Sequence, residues 1–385
     1  VFLKNATKLQ PDQFNSLLDT FYRQVIVSLK QTEKKEVLLG SVALCESLLS
    51  VMRPEVFEQA FTNLENALCE CADAQLAAFR ATMQQLGAQV SAGQSLDLEN
   101  PLAQQLLAQL EILHSWASMH HRILERFESS KYQHFQVIMR SGRLSDVLVA
   151  LIALTANSSD GRHAGSLISF SGLEKLDKLL NQIKVKTFES LNMLLEYIEL
   201  LKEDQQQTSP FHHKMHALIP QLAASACLLA TDERLEDCLE DEDYSELAVQ
   251  VIETMCITMS NMAYKYLYEP QAKNLFVNVC LCLIKLTTQD AEMMLSDPQE
   301  FNNFSLDCCD KQQSMVPKTQ ACKLIEAIID NIEGSVIFIA KFALSALNVS
   351  LTGMSPEKIY EPSFGEWQQS RLLTSDPILV AESGL

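Results

Sequence analysis

No glycine occurs between Gly172 and Gly334, although the chain has 385 residues and 11 glycines in all. Doubly wound α/β folds use glycine in their phosphate turns and tight βα loops, and turn-rich β folds use it at their corners. Throughout this chain, apolar side chains instead recur at three- and four-residue intervals, as on one face of a helix. The sequence therefore predicts an all-α fold without alternating strands.

Apolar spacing and prolines together predict where the helices lie. Proline is tolerated at the first position of a helix, where its missing N–H would have no partner. Pro54, Pro101 and Pro210 each precede a helical pattern, while Asn100 and Asp297 stand before a proline and carry oxygens that cap free N–H groups. The predicted helices cover residues 12–30, 37–52, 54–90, 101–127, 134–155, 173–201, 210–230, 244–264, 271–286, 319–332 and 335–347.

These helices are too many for one core, because a single hydrophobic core stops growing at roughly 250 to 300 residues. Helix pairs recur about every 40 to 45 residues, which is the period of HEAT and armadillo repeats. The sequence predicts an α-solenoid of HEAT-like antiparallel helix pairs over residues 1–351. Residues 352–385 are predicted to form a loosely patterned tail or the start of a further repeat.

The chain is strongly acidic, with 49 Asp and Glu against 30 Lys and Arg and a formal net charge of -19. Direct nucleic-acid binding is not expected, because it needs a basic face that displaces counterions from phosphates. No membrane contact is expected either, since the most apolar runs are shorter than the ~20 residues of a membrane span. The 11 cysteines include no CxxC pair and fit a reducing compartment better than a disulfide framework or a zinc site.

No catalytic or cofactor-binding signature occurs, so we predict neither an enzyme nor a cofactor. His212, His213 and His216 include an i, i+4 pair with metal-site spacing, but no nearby carboxylate or thiolate completes a ligand set. A solvated helix start is the simpler interpretation of these three. The other clustered histidines are predicted to be surface or packing residues: His114, His120 and His121, around Trp116.

The densest charge lies in residues 231–246 (TDERLEDCLEDEDYSE), which we call the acidic segment. It is either a solvated loop whose last carboxylates favour the positive end of the following helix, or a docking surface for a basic protein. Repulsion among so many carboxylates costs stability unless solvent or a cationic partner screens it. The carboxylates of the segment are Asp232, Glu233, Glu236, Asp237, Glu240, Asp241, Glu242, Asp243 and Glu246.

A second short motif predicts a helix start at Asp297-Pro298-Gln299-Glu300-Phe301. Asp297 is a good N-cap, Pro298 fits the first helical position, and Glu300 stands where a capping box places its acidic residue.

Residues 264–347 resemble the middle of nuclear transport receptors of the importin-β (karyopherin-β) superfamily, especially the branch of the importin-α export receptor and the large importins. The resemblance rests on YKYLYEPQAKNLFVNVCLCLI at 264–284, SDPQEFNNFSLDCCD at 296–310 and KTQACKLIEAIIDNIEGSV at 318–336. Asp297, Pro298, Glu300 and Phe301 match the family's D-P-x-E-[YF] helix start. Asn302 and Asn303 stand where the family usually has an Ile-Arg pair.

The resemblance implies a segment of a longer transport receptor that carries protein cargo between cytoplasm and nucleus through the nuclear pore. Its implied partners are Ran-GTP, basic protein cargo and FG nucleoporins, and acidic inter-helix segments of this family often contact Ran or cargo. A HEAT-repeat scaffold that assembles a stable complex without Ran dependence is the alternative.

Overall fold

The computed structural model confirms the all-α prediction, and the residues it describes contain no strand. It describes residues 11–30, 34–51, 54–91, 99–128, 143, 146–148, 150–151, 174–200, 210–230, 242–261, 263–284, 288–299 and 317–352.

Twelve α-helices are described. They are α1 (Pro11–Leu29), α2 (Lys35–Val51), α3 (Pro54–Ser91), α4 (Pro101–Glu128), α5 (Glu174–Leu200), α6 (Pro210–Ala230), α7 (Glu242–Ser260), α8 (Ala272–Leu275), α9 (Leu281–Ile284), α10 (Thr288–Ser296), α11 (Pro317–Asn331) and α12 (Ser335–Thr352).

Most of these helices begin and end within a few residues of their predicted bounds, because proline and cap residues mark the starts. Asn100, for example, caps α4 by accepting a hydrogen bond from the backbone N–H of Leu102 at 2.9 Å. The region predicted as one helix at 271–286 contains α8, a π-helical turn at Phe276–Cys280 and α9. Helix α10 was not predicted at all, and the tail 353–385 lies outside the described residues.

The chain divides into two compact units, unit 1 (Val1–Leu218) and unit 2 (Ile219–Leu385). The division falls inside α6, next to Pro220, which has no N–H to donate to the preceding turn.

Unit 1 is a stack of helix pairs. Helix α1 packs on α2 and α3, α4 packs on α2 and α3, and α5 packs on α4. Asn100, at the start of α4, contacts Gln89, near the end of α3, at 3.1 Å. Gln109, further along α4, contacts Thr82, earlier in α3, at 3.2 Å. These two helices therefore run antiparallel. This pairing agrees with the predicted solenoid-like fold.

Two ion pairs fix the direction of α2 relative to α4. Lys35 pairs with Glu111, and Glu46 pairs with Arg122 at 3.3 Å. Glu46 follows Lys35 along α2 by the same number of residues as Arg122 follows Glu111 along α4, so α2 and α4 run parallel. Parallel packing of the second helices of successive pairs is the arrangement by which a repeat array buries its faces between neighbours.

Unit 2 is built around α7, which packs against α11. Helix α11 also contacts the π-helical turn, α9 and α12. Phe276 of that turn meets the rings of Phe338 and Phe342 edge-on, at centroid distances of 5.8 and 5.4 Å. These contacts hold the segment that follows α7 against the last helices described.

One buried hydrogen bond joins the end of α7 to that segment. The hydroxyl of Thr258 donates to the carbonyl of Thr254 at 2.7 Å, so it accepts the hydrogen bond from the hydroxyl of Tyr268 at 2.5 Å. Both side chains are buried.

We predict that Tyr268→Phe lowers the free energy of unfolding by about 1 kcal/mol, because it removes a buried hydrogen bond and keeps the ring. Tyr266→Phe is the matched control, since the Tyr266 side chain is 57% exposed. Urea unfolding of both variants measures the difference, and equal stabilities would contradict the assignment.

The turn between α11 and α12 requires glycine. Gly334 has a φ of +79°, in the left-handed region that residues with a Cβ atom rarely adopt, while the space around it is open. Gly40 lies on the exposed side of α2 with helical geometry, and a Cβ atom there meets nothing within 4 Å.

The same substitution should therefore have opposite effects at these two positions. Gly334→Ala is predicted to destabilise the protein by about 1 kcal/mol through backbone strain. Gly40→Ala is predicted to stabilise it by about 0.5 to 1 kcal/mol, because alanine has the higher helix propensity. Thermal or urea unfolding tests the pair, and effects of the same sign would contradict this explanation.

Candidate functional site

The acidic segment lies mostly outside the described residues, which resume at residue 242. Of its carboxylates, the structure describes the positions of Glu242, Asp243 and Glu246, all in the first turns of α7. The helix predicted at 244–264 therefore begins at Glu242, inside the segment. The other six carboxylates, from Asp232 to Asp241, are not described.

Helix α7 provides a fixed base for the segment. Beyond its first turns, its side chains are buried on several sides, including Leu247, Val251, Ile252 and Met255. The first N–H groups of a helix have no partner within the helix and carry partial positive charge, which favours nearby carboxylates. The segment thus leads into the central helix of unit 2 at the end that attracts its charge.

We predict that the double variant Glu242→Gln/Asp243→Asn loses about 0.5 to 2 kcal/mol of stability at low salt, and less at 1 M salt, because salt screens the attraction to the helix start. The control Glu326→Gln/Asp330→Asn removes the same charge from exposed positions in the last turns of α11. There the helix end repels carboxylates, so the control should be neutral or slightly stabilising. Urea unfolding at two salt concentrations distinguishes the variants, and equal losses would contradict the role of the helix start.

Asp297 caps a helix start, as its sequence context predicts. Its carboxylate accepts a hydrogen bond from the backbone N–H of Gln299 at 3.2 Å, and Pro298 and Gln299 are helical. The backbone N–H of Asp297 donates to the carbonyl of Met293 at 2.8 Å, so this residue also ends α10. Glu300 and Phe301, the other residues of the motif, lie outside the described residues.

The histidines of α6 occur in the first part of that helix. His216 is half-buried, and the side chains of His212 and His213 are outside the described set. Among the described residues, no group of three or more His, Cys, Asp and Glu side chains is arranged to hold a metal ion.

Of the three histidines of α4, His120 is buried and His114 and His121 are half-buried. The ring of His120 is 3% exposed and stacks on Trp116, with centroids 5.6 Å apart and planes 10° from parallel. His121 approaches the carboxylate of Glu189 on α5 at 3.4 Å, and Lys186 pairs with the same oxygen at 2.8 Å. We call His114, Trp116, His120 and His121 the α4 histidine cluster.

Burial dominates the protonation of this cluster. It lowers the pKa of His120 to about 3, and the neighbouring His121 adds to the effect. Burial also lowers the pKa of His114, and of His121 despite the opposing influence of Glu189. All three imidazoles therefore favour the neutral form.

A signal for this cluster was present in the sequence. Leu113, Ala117, His120 and Leu124 follow the i, i+4, i+7, i+11 spacing of one helix face, so His120 occupies a core position of an otherwise apolar stripe. All four are buried, which confirms the packing interpretation for His120.

The described cysteines are free thiols, most of them buried. Burial raises the pKa of Cys45, Cys69 and Cys256 to about 12. A thiol held protonated in this way is a poor nucleophile and a poor metal ligand. Cys238, Cys308 and Cys309 lie outside the described residues.

Within the described ranges, no helix is long and apolar enough to cross a membrane. Comparisons of the chain with protein-family models, with curated proteins and with solved structures gave no match.

Proposed function

We propose that the chain is a segment of a karyopherin-β-like nuclear transport receptor that binds protein cargo and Ran-GTP and mediates transport between cytoplasm and nucleus. The observation that carries this proposal is the stacking of helix pairs in unit 1, where α2 and α4 run parallel and α3 runs antiparallel to α4. Solenoids of this kind offer long surfaces for protein partners. The choice of family within this architecture rests on the resemblance of residues 264–347 to the importin-β superfamily.

In this proposal the acidic segment is the docking surface for basic cargo. It leads into α7, which is held by the packing of unit 2, so a bound partner would be tied to a fixed helix rather than to a loose chain end. The formal net charge of -19 supports the same role, because long-range attraction raises the rate of encounter with a basic protein.

An exposed apolar stripe on α12 suits the FG-nucleoporin partner. Val336, Ile337 and Leu344 are 54%, 63% and 61% exposed, and they follow helical spacing on one side of that helix. Apolar side chains exposed together in this way mark protein contacts more often than isolated ones do. A phenylalanine of an FG repeat is the kind of side chain that such a stripe can bury.

The proposed mechanism involves no chemistry by this chain. Cargo and Ran-GTP bind with different affinities to alternative states of the solenoid, and the binding of one partner lowers the affinity for the other.

We predict that neutralising Asp237 and residues 240–243 to their amides weakens binding of a core histone at about 50 mM salt by at least about tenfold, and that the difference shrinks at about 0.5 M salt. A matched control removes five exposed carboxylates elsewhere in unit 2 and should retain most of the affinity. Fluorescence anisotropy measures the histone affinity of both variants, and equal losses of affinity would show that net charge alone causes the effect. The control positions are Glu269, Glu292, Glu326, Asp330 and Glu333.

Binding to Ran in its two nucleotide states tests the transport function itself. A carrier binds GTP-loaded Ran and not GDP-loaded Ran in a pull-down with the full chain. Equal binding, or none, together with one stable stoichiometric partner, would favour the scaffold alternative.

A further inference from the structure

His120 is a buried histidine of α4. Neither ring nitrogen of His120 has a hydrogen-bond partner among the described residues, and the same holds for the indole N–H of Trp116, on which the imidazole stacks. A neutral imidazole tolerates this site at moderate cost. A charged one would be an ion without a counterion in the protein interior.

Helix α4 packs against α2, α3 and α5. Apart from burial, only His121 affects the protonation of His120, and it does so unfavourably. Two carboxylates of the neighbouring helices form ion pairs with groups other than His120: Glu189 with Lys186 and His121, and Glu46 with Arg122. Lys35 of α2 pairs with Glu111 of α4. The buried titratable groups of α2, α3 and α5 also include Glu65, which has a partner of its own, Lys184, which contacts Asn181, and the thiols of Cys45, Cys69 and Cys71.

One interaction would favour the proton. A cation over a tryptophan ring gains up to about 2 kcal/mol when desolvated. An unpaired charge taken out of water loses several kcal/mol, even after the protein relaxes. The loss exceeds the gain, so a proton on His120 requires that the ring reach solvent.

We infer that unit 1 contains an acid-sensitive element, in which protonation of His120 opens the packing of α4 against α3 and α5. This device is independent of the proposed transport function, because it rests on the α4 interfaces alone.

The sign of the effect follows from the direction of the shift. Burial lowers the pKa of His120 from 6.5 to about 3, so the unfolded or open chain takes up a proton that the packed form does not. The contribution of neutral His120 to the free energy of unfolding is fully present above about pH 6.5 and is lost as the pH falls toward 3. Relative to pH 7.5, the open form at pH 5 is favoured by about 30-fold through this one site.

Amide hydrogen exchange of the full chain at pH 7.5 and pH 5, corrected for intrinsic exchange rates, tests this directly. The α4 peptides should gain about 30-fold in exchange at pH 5, ahead of the α7 peptides of unit 2. In a Trp367→Phe background, which leaves Trp116 as the only tryptophan, the emission should shift to the red over the same pH interval.

Two variants assign the effect to His120. His120→Phe keeps a ring on Trp116 without a titrating group and should abolish most of the pH response, whereas His114→Gln, at a less buried position, should retain most of it. An unchanged response in His120→Phe would overturn the inference. If that variant does not fold, the wild-type protein still decides: exchange in α4 that does not change with pH, or that follows α7, would also overturn it.

Discussion

In unit 1, α4 is enclosed by α2, α3 and α5, and the burial of its apolar stripe is the interaction on which the rest of the unit depends. Leu110, Leu113 and Leu124 are completely buried, and full burial of a leucine contributes about 2 kcal/mol. The ion pairs at the edges of this helix are partly exposed and contribute at most about 1 kcal/mol each. Apolar burial therefore supplies the stability, while the pairs of Lys35 with Glu111 and Glu46 with Arg122 select the register.

Several buried polar side chains form their hydrogen bonds within their own helix. The buried hydroxyls of Thr187, Ser190 and Thr254 each donate to the carbonyl four residues earlier, at 2.6, 2.8 and 3.0 Å. His120 has no such partner among the described residues. A hydroxyl does not titrate in this pH range, so the buried threonines and serine leave the packing independent of pH, whereas an imidazole can take up a proton.

The sequence predicted the long helices well because their signals are local. Proline starts, the Asn100 and Asp297 caps and apolar periodicity each depend on neighbours in the chain. The missed features depend on partners far along the chain: the bond of Tyr268 to Thr258 needs the turn after α7, and the contact of His121 with Glu189 needs α5 beside α4. The short helix α10 has too few turns to show a clear period. For the acidic segment, the sequence predicted a helix from residue 244 and the structure begins it at Glu242, but the choice between solvated loop and docking surface depends on a partner.

The proposed function combines an acidic segment, a solenoid-like scaffold and two competing partners. It requires that cargo and Ran-GTP exclude each other on this chain, so that the two binding events are coupled. Displacement of a fluorescent core histone from the full chain by Ran measures this coupling. We predict that GTP-loaded Ran lowers the apparent histone affinity by at least about tenfold while GDP-loaded Ran leaves it unchanged. A ternary complex with undiminished histone affinity, or equal displacement by both forms of Ran, would contradict it.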